Sequence, residues 1–292
     1  MSSAVVLPDV VPTRVRPHAR RETLRLLLRS NTFMIGSIIF WGWVFCAFFG
    51  YAIAPRDPLG ITPSTLSGLS GSHPFGTDTL GRDVLSRVLA GARSILLIAP
   101  LATALAITAG TALGLVTGYM RGWVDDIVSR LIESLLAIPL IVLAVVINVS
   151  LGHSNLTIIL TVGVLFTPLV ARTVRAAVLA ERDLDYVPAA RLRGERAPYI
   201  MFVEILPNVT GPIIVEATVR LGYAVFIVAG LSFLGFGVEA PTPDWAGDIA
   251  QNYTLLESGT YWWTVLFPAL AIASLVISIN LMADGITRVL ER

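Results

Sequence analysis

The chain has 292 residues, 55% of them hydrophobic and 14% charged, with 21 basic and 20 acidic side chains and a net charge of +1. Soluble domains carry roughly 45–50% apolar and about 25% charged residues, so a water-soluble globule is excluded, and no nucleic-acid partner is expected. All 21 basic residues are arginine; without a lysine there is no P-loop to reach nucleotide phosphates, so any nucleotide-driven step falls to another subunit.

Residues 1–30 form an Arg-rich tail, from Arg14 to Arg29, with Pro8, Pro12 and Pro17. It reads as a cytoplasmic segment docked against the inner leaflet. A charge-free run, Ser30 to Pro55, then supplies span one. Its apolar part, Thr32 to Ala54, is too long for a secretory h-region and reads as a permanent anchor. Trp41 and Trp43 lie near its middle and are expected to face protein, and the single Cys46 to fill space.

From Pro55 to Arg93 the chain reads as an external loop. Val84, Leu85, Val88, Leu89 and Ala92 share one helical face, while Arg82, Asp83, Ser86 and Arg87 share the other. That pattern predicts a helix lying in the outer interface, with Asp83 and Arg87 offsetting each other. Span two, 94–120, carries Ala102, Ala106, Gly110, Gly114 and Gly118 at every fourth position. Such a stripe permits close helix approach in lipid, against another helix of this chain or of a second subunit.

The next charge-free run, Ser134 to Ala171, is 38 residues long, about 57 Å as one helix, against an apolar slab of about 30 Å. It must fold back at Ser150–Asn155, giving spans at 131–150 and 155–172, with Glu133 placed for a local pair with Arg130. Span five, 209–234, contains Glu216 and Arg220 four apart, which predicts either a structural ion pair or a lining of a transport path. Asp244 is placed to cap a helix over 245–256, and Tyr261, Trp262 and Trp263 mark the outer interface before span six.

Six spans result. With both termini in the cytoplasm, sixteen arginines lie inside, four outside and one, Arg220, within a span, so the positive-inside rule selects that orientation. The chain divides into the tail 1–30, a first span and external loop with interfacial helix over 31–93, and a five-helix core over 94–292 that includes a cytoplasmic loop, 172–208.

That loop is patterned. Asp183-Leu-Asp185 ends one helix, Val187-Pro-Ala-Ala190 opens a short one, Gly194 interrupts it, and Ile205-Leu-Pro207 turns the chain back to the membrane. Ala189 and Ala190 flanked by Arg191, Arg193 and Arg196 suit docking into a partner's groove; a solvated basic linker is the alternative.

Pro188-Ala-Ala190, Gly194 and Ile205-Leu-Pro207 resemble the "EAA loop" of membrane subunits of bacterial ATP-binding-cassette importers. Three further stretches, His73–Arg87, Ser232–Val238 and Pro241–Trp245, are similar to the C-type permease of the dipeptide, oligopeptide and nickel branch. The resemblance covers about residues 20–292 and implies an all-α integral membrane protein of six transmembrane helices with the type I importer fold, in the bacterial cytoplasmic membrane.

It further implies a non-catalytic subunit that imports peptides, with nickel as the alternative cargo and oligopeptides slightly favoured over dipeptides. The implied partners are a second permease, one or two ATPase subunits or a fused ATPase using ATP and Mg, and an external substrate-binding protein. The ATPase would engage Pro188, Ala189, Ala190, Arg191, Arg193, Gly194, Leu206 and Pro207. Pro188 stands where the family has glutamate, which removes the return bond of a capping box with Asp185, although proline is tolerated in a first turn.

His18, His73 and His153 are scattered, and no Ser/His or aspartate pair shares a membrane depth. No metal, cofactor or catalytic site is therefore expected in the chain itself. An ATPase-independent channel or scaffold is the rival class.

Overall fold

The computed structural model describes residues 25–290 except Arg121 and His153. Most of the arginine tail, including Arg14 to Arg21, lies outside the described residues, as does Arg292. A short helical turn at 25–29 precedes α1, Asn31–Ile53, whose first amides are capped by Ser30: its hydroxyl oxygen accepts from the Phe33 N–H at 3.4 Å. Then come α2 (Val84–Met120), α3 (Trp123–Leu136), α4 (Leu140–Leu151), α5 (Asn155–Arg182) and α6 (Tyr186–Leu192). The chain closes with α7 (Thr210–Phe233), α8 (Trp245–Asn252) and α9 (Trp263–Leu290). No strand forms among the described residues; they hold one isolated bridge, Thr77 to Asp83.

Helices α1, α2, α5, α7 and α9 are each long and apolar enough to cross a membrane. The remaining span is not the straight helix expected over 131–150. It is a pair, α3 and α4, bent by 86°. Pro139 explains the break, because it lacks an N–H and its ring disfavours a helical conformation at the preceding Ile138. Taken as one broken span, the pair brings the count to six. Arg130 and Glu133 on α3 are both exposed, and no ion pair joins them. Asp125 on the same helix instead binds Arg175 of α5 at 2.6 Å.

The interfacial helix expected over 84–93 is not a separate element. It is the outer end of α2, whose 37 residues run without interruption. At about 1.5 Å per residue the helix is about 55 Å long, longer than an apolar slab of about 30 Å. Arg82, Asp83, Ser86 and Arg87, expected on a wet face, are all buried, at 3% exposure or less.

The small-residue stripe of α2 packs inside the subunit. A Cβ on Gly114 would lie 2.7 Å from the Val174 Cβ and 2.8 Å from the Ala171 carbonyl, and Gly110 and Gly118 meet Val170 and Val178 of α5 as closely. Backbones in this contact have no room for a methyl. Gly114→Val should therefore destabilise the fold by about 1–3 kcal/mol or more, read as a lower unfolding temperature in detergent; an unchanged midpoint would contradict the packing.

Helix α1 lies on α2 and α9. Trp43 faces inward, donating from its indole nitrogen to the Ser274 hydroxyl at 2.9 Å, and Cys46 packs at the edge of the core. Trp41 does not face protein as expected. It is 63% exposed, because two residues along a helix turn a side chain to the opposite side.

Candidate functional site

The loop over 172–208 folds into a braced knob. Helix α5 ends at Arg182, with Asp183 as its cap, and α6 starts at Tyr186, two residues before Pro188. Pro188 thus occupies the third helical position, still within the first turn, where its missing N–H costs no internal bond. The Asp185 side chain makes no capping bond, in keeping with the lost capping box.

Gly194 closes the helix. Its φ is +83°; the Gly194 N–H reaches the Arg191 carbonyl at 3.0 Å and the Glu195 N–H reaches the Ala190 carbonyl at 3.2 Å. These two bonds make a Schellman motif, which places a left-handed residue at this point and favours glycine.

The knob has an inner and an outer side. Val187 and Ala190 are fully buried, while Pro188, Ala189, Arg191, Arg193 and Gly194 are exposed. Of the two alanines, only Ala189 is free for an external contact. Leu192 was not singled out in the sequence, yet it is 90% exposed at the tip. Its signal was a lone apolar residue between Arg191 and Arg193.

Three contacts brace the knob, two of them to the membrane helices α2 and α5 and one within the loop. Arg191 lies over the ring of Tyr119 on α2, 5.0 Å from its centre, and donates to its hydroxyl at 3.3 Å. Arg193 binds Glu204 at 2.9 Å. The Tyr186 hydroxyl donates to Glu181 at 2.8 Å and accepts from Asn208 at 3.3 Å; burial first, then the Glu181 bond, push its pKa up to about 12. The returning chain is π-helical over Ile200–Ile205, and Ile200, Met201 and Ile205 are buried. Leu206 is half-buried and Pro207 exposed where the chain re-enters.

Within the membrane, Arg220 binds Glu216 at 2.5 Å, with side chains 15% and 10% exposed. The Arg220 guanidinium also rests near the rings of Tyr223 and Phe166. Beside the pair a cleft of about 330 Å³ is lined by Val219, Gly222, Tyr223, Phe226, Val276 and Asn280. The two charges neutralise each other in an apolar setting, so the ion pair forms, and neither member is among the residues that line the cleft.

At the end of α2 away from the knob, the stretches 73–87 and 241–245 fold onto each other. Asp83 does not pair with Arg87. It binds His73 at 2.9 Å and caps α2 by accepting from the Ser86 N–H and hydroxyl. Arg87 instead forms a two-pronged contact with Asp248 of α8, with Nε 3.0 Å from each carboxylate oxygen and Nη2 2.5 Å from one. Arg82 binds Asp78 at 2.6 Å and Gln251 at 2.9 Å. The buried Trp245 donates to the Val88 carbonyl at 2.7 Å, and Trp263 to the Thr77 carbonyl at 3.1 Å.

Asp244 caps α8, which ends at Asn252 before a tighter turn through Ser258. Burial lifts its pKa from the ordinary 3.8 to about 6. A carboxyl raised on folding contributes stability that is complete below 3.8 and is lost as pH rises through about 6. Intrinsically corrected hydrogen exchange in α8 should therefore speed up across that window. Asp244→Asn, which retains a capping oxygen, should reduce the dependence and leave the part due to Asp248, whose carboxyl burial also raises; a profile identical to the parent would refute the assignment.

Residues 110–292 match the family described as "Binding-protein-dependent transport system inner membrane component". The chain is 36% identical over 291 residues to a di/tripeptide transport system permease protein, DppC, of Pseudomonas aeruginosa, covering 97% of this chain and 95% of that protein. It is 38% identical over 296 residues to the dipeptide transport system permease protein DppC of Escherichia coli K12, covering 99% and 98%. A third relative, DppC of Alkalihalophilus pseudofirmus, is 35% identical over 285 residues, covering 97% and 92%. With a broken-span helical bundle, a braced knob between α5 and α7 and these full-length relatives, the chain belongs to the family of inner-membrane components of binding-protein-dependent transport systems.

Proposed function

We propose that this chain is one permease subunit of an ATP-driven importer of short peptides, with both termini in the cytoplasm. A second, homologous permease completes the path. A separate ATPase, as two chains or one fused chain, supplies ATP hydrolysis with Mg, and an external binding protein delivers the peptide. The names of the relatives, di- and tripeptide permeases, favour short peptides over nickel.

The observation that carries the reading is the exposed tip of α6, with Leu192 at 90% exposure on a knob braced to α2 and α5. A rigid projection transmits displacement from a partner into the membrane helices, whereas a limp linker would absorb it. Closure of the ATPases would then tilt α7 and α9, which line the cleft around Tyr223 and Asn280.

The test is reconstitution. The chain, with its second permease, ATPase and binding protein in proteoliposomes, should accumulate a labelled dipeptide only when ATP is inside the vesicle. Passive peptide flux through the chain alone would instead support a channel.

A further inference from the structure

A cavity of about 370 Å³ lies where the start of α1 meets the end of α9, lined by Leu26, Arg29, Ser30, Gly285, Arg288 and Val289. Its two guanidiniums come from different helices. Among the described residues neither forms an ion pair, and Asp284, exposed on the neighbouring turn, is not part of the wall. The two helices are held in contact here, since a Cβ on Gly285 would lie 2.7 Å from the Phe33 Cβ. Backbone packing thus holds the two arginine-bearing segments side by side.

Ser30 in the wall caps α1, so the positive end of a 23-residue helix adds to the field there. The cavity also sits at a boundary. The charge-free run of span one begins at Ser30, and Arg288 is the first arginine after the apolar stretch of span six. Its wall carries both the arginines Arg29 and Arg288 and the apolar Leu26 and Val289.

We propose that this cavity binds the headgroup phosphate of an anionic glycerophospholipid, with Arg29 and Arg288 on the phosphate and Leu26 and Val289 against the glycerol and upper acyl chain. A free phosphate would use the arginines and leave the apolar wall empty; the lipid uses both. In the orientation proposed above the bound lipid belongs to the inner leaflet, and it ties the first and last spans together at the end where the ATPase acts.

The experiment titrates the purified transporter with phosphatidylglycerol or phosphatidylcholine and counts bound lipid by native mass spectrometry. At about 1 kcal/mol per arginine, Arg29→Gln with Arg288→Gln should weaken phosphatidylglycerol binding about 30-fold and leave phosphatidylcholine unchanged. A charge-matched control, Arg130→Gln with Arg172→Gln, alters two exposed arginines elsewhere and should bind phosphatidylglycerol like the parent. Excess inorganic phosphate should not displace the lipid.

Unchanged binding in the Arg29/Arg288 variant, an equal loss in the control, or displacement by inorganic phosphate would each overturn the proposal. The readout is independent of topology. Labelling of Arg288→Cys by an impermeant reagent from one side tests the orientation separately.

Discussion

Gly194→Trp should abolish ATP-driven uptake in the reconstituted transporter while the chain still inserts and folds. The backbone at Gly194 is left-handed, with φ +83°, a conformation that costs an L-residue about 1–2 kcal/mol. The surrounding space is empty, since a Cβ there would meet nothing within 4 Å. Apart from that backbone cost, an indole would meet no atom of the subunit and would project from the knob into the volume that a docked ATPase must fill. Leu192→Asp makes the complementary change. Leu192 is 90% exposed, so its loss costs the isolated subunit nothing, but a charge at a desolvated anchor of an interface removes about 2 kcal/mol or more of binding. Both variants should lose co-purifying ATPase and uptake together. Full uptake by either one would remove the coupling role from α6.

What the amino-acid sequence disclosed follows from the range of the interactions involved. The five continuous spans were legible because lipid demands an unbroken run of apolar residues, and such a run is local. The stripe from Ala102 to Gly118 announced a close helix contact, although α5 as its partner came only from the packing. The broken span was missed because apolar composition overrode the Pro139 signal. The outer knot was misread for a different reason. Asp83 and Arg87 are correctly spaced for a helical pair, but Arg87 has its partner 161 residues away, and no periodicity reports a contact of that kind. Leu192 shows a further limit: one exposed leucine among arginines looks ordinary until the backbone turns its neighbours Val187 and Ala190 inward.

The outer knot should fail as a unit when its central ion pair is halved. Arg87 and Asp248 have side chains only 4% and 8% exposed, and removing one member of a buried pair leaves an uncompensated charge, typically at a cost of about 3–5 kcal/mol. Arg87→Met or Asp248→Leu should therefore lower the unfolding temperature and open residues 55–83 to protease from the external side. Replacing both together removes the stranded charge, and buried pairs exchanged for apolar residues are often neutral. Here recovery should be partial, because Arg87 also donates to the carbonyls of Pro58 and Pro241, and these would lose a partner in the double variant. If the two single losses simply add in the double variant, the pair is not coupled and the knot is held by the tryptophan bonds of Trp245 and Trp263 instead. If the double variant recovers, Arg87 and Asp248 are coupled across α2 and α8, and α2 runs unbroken from that contact to Tyr119, where Arg191 of the knob is braced.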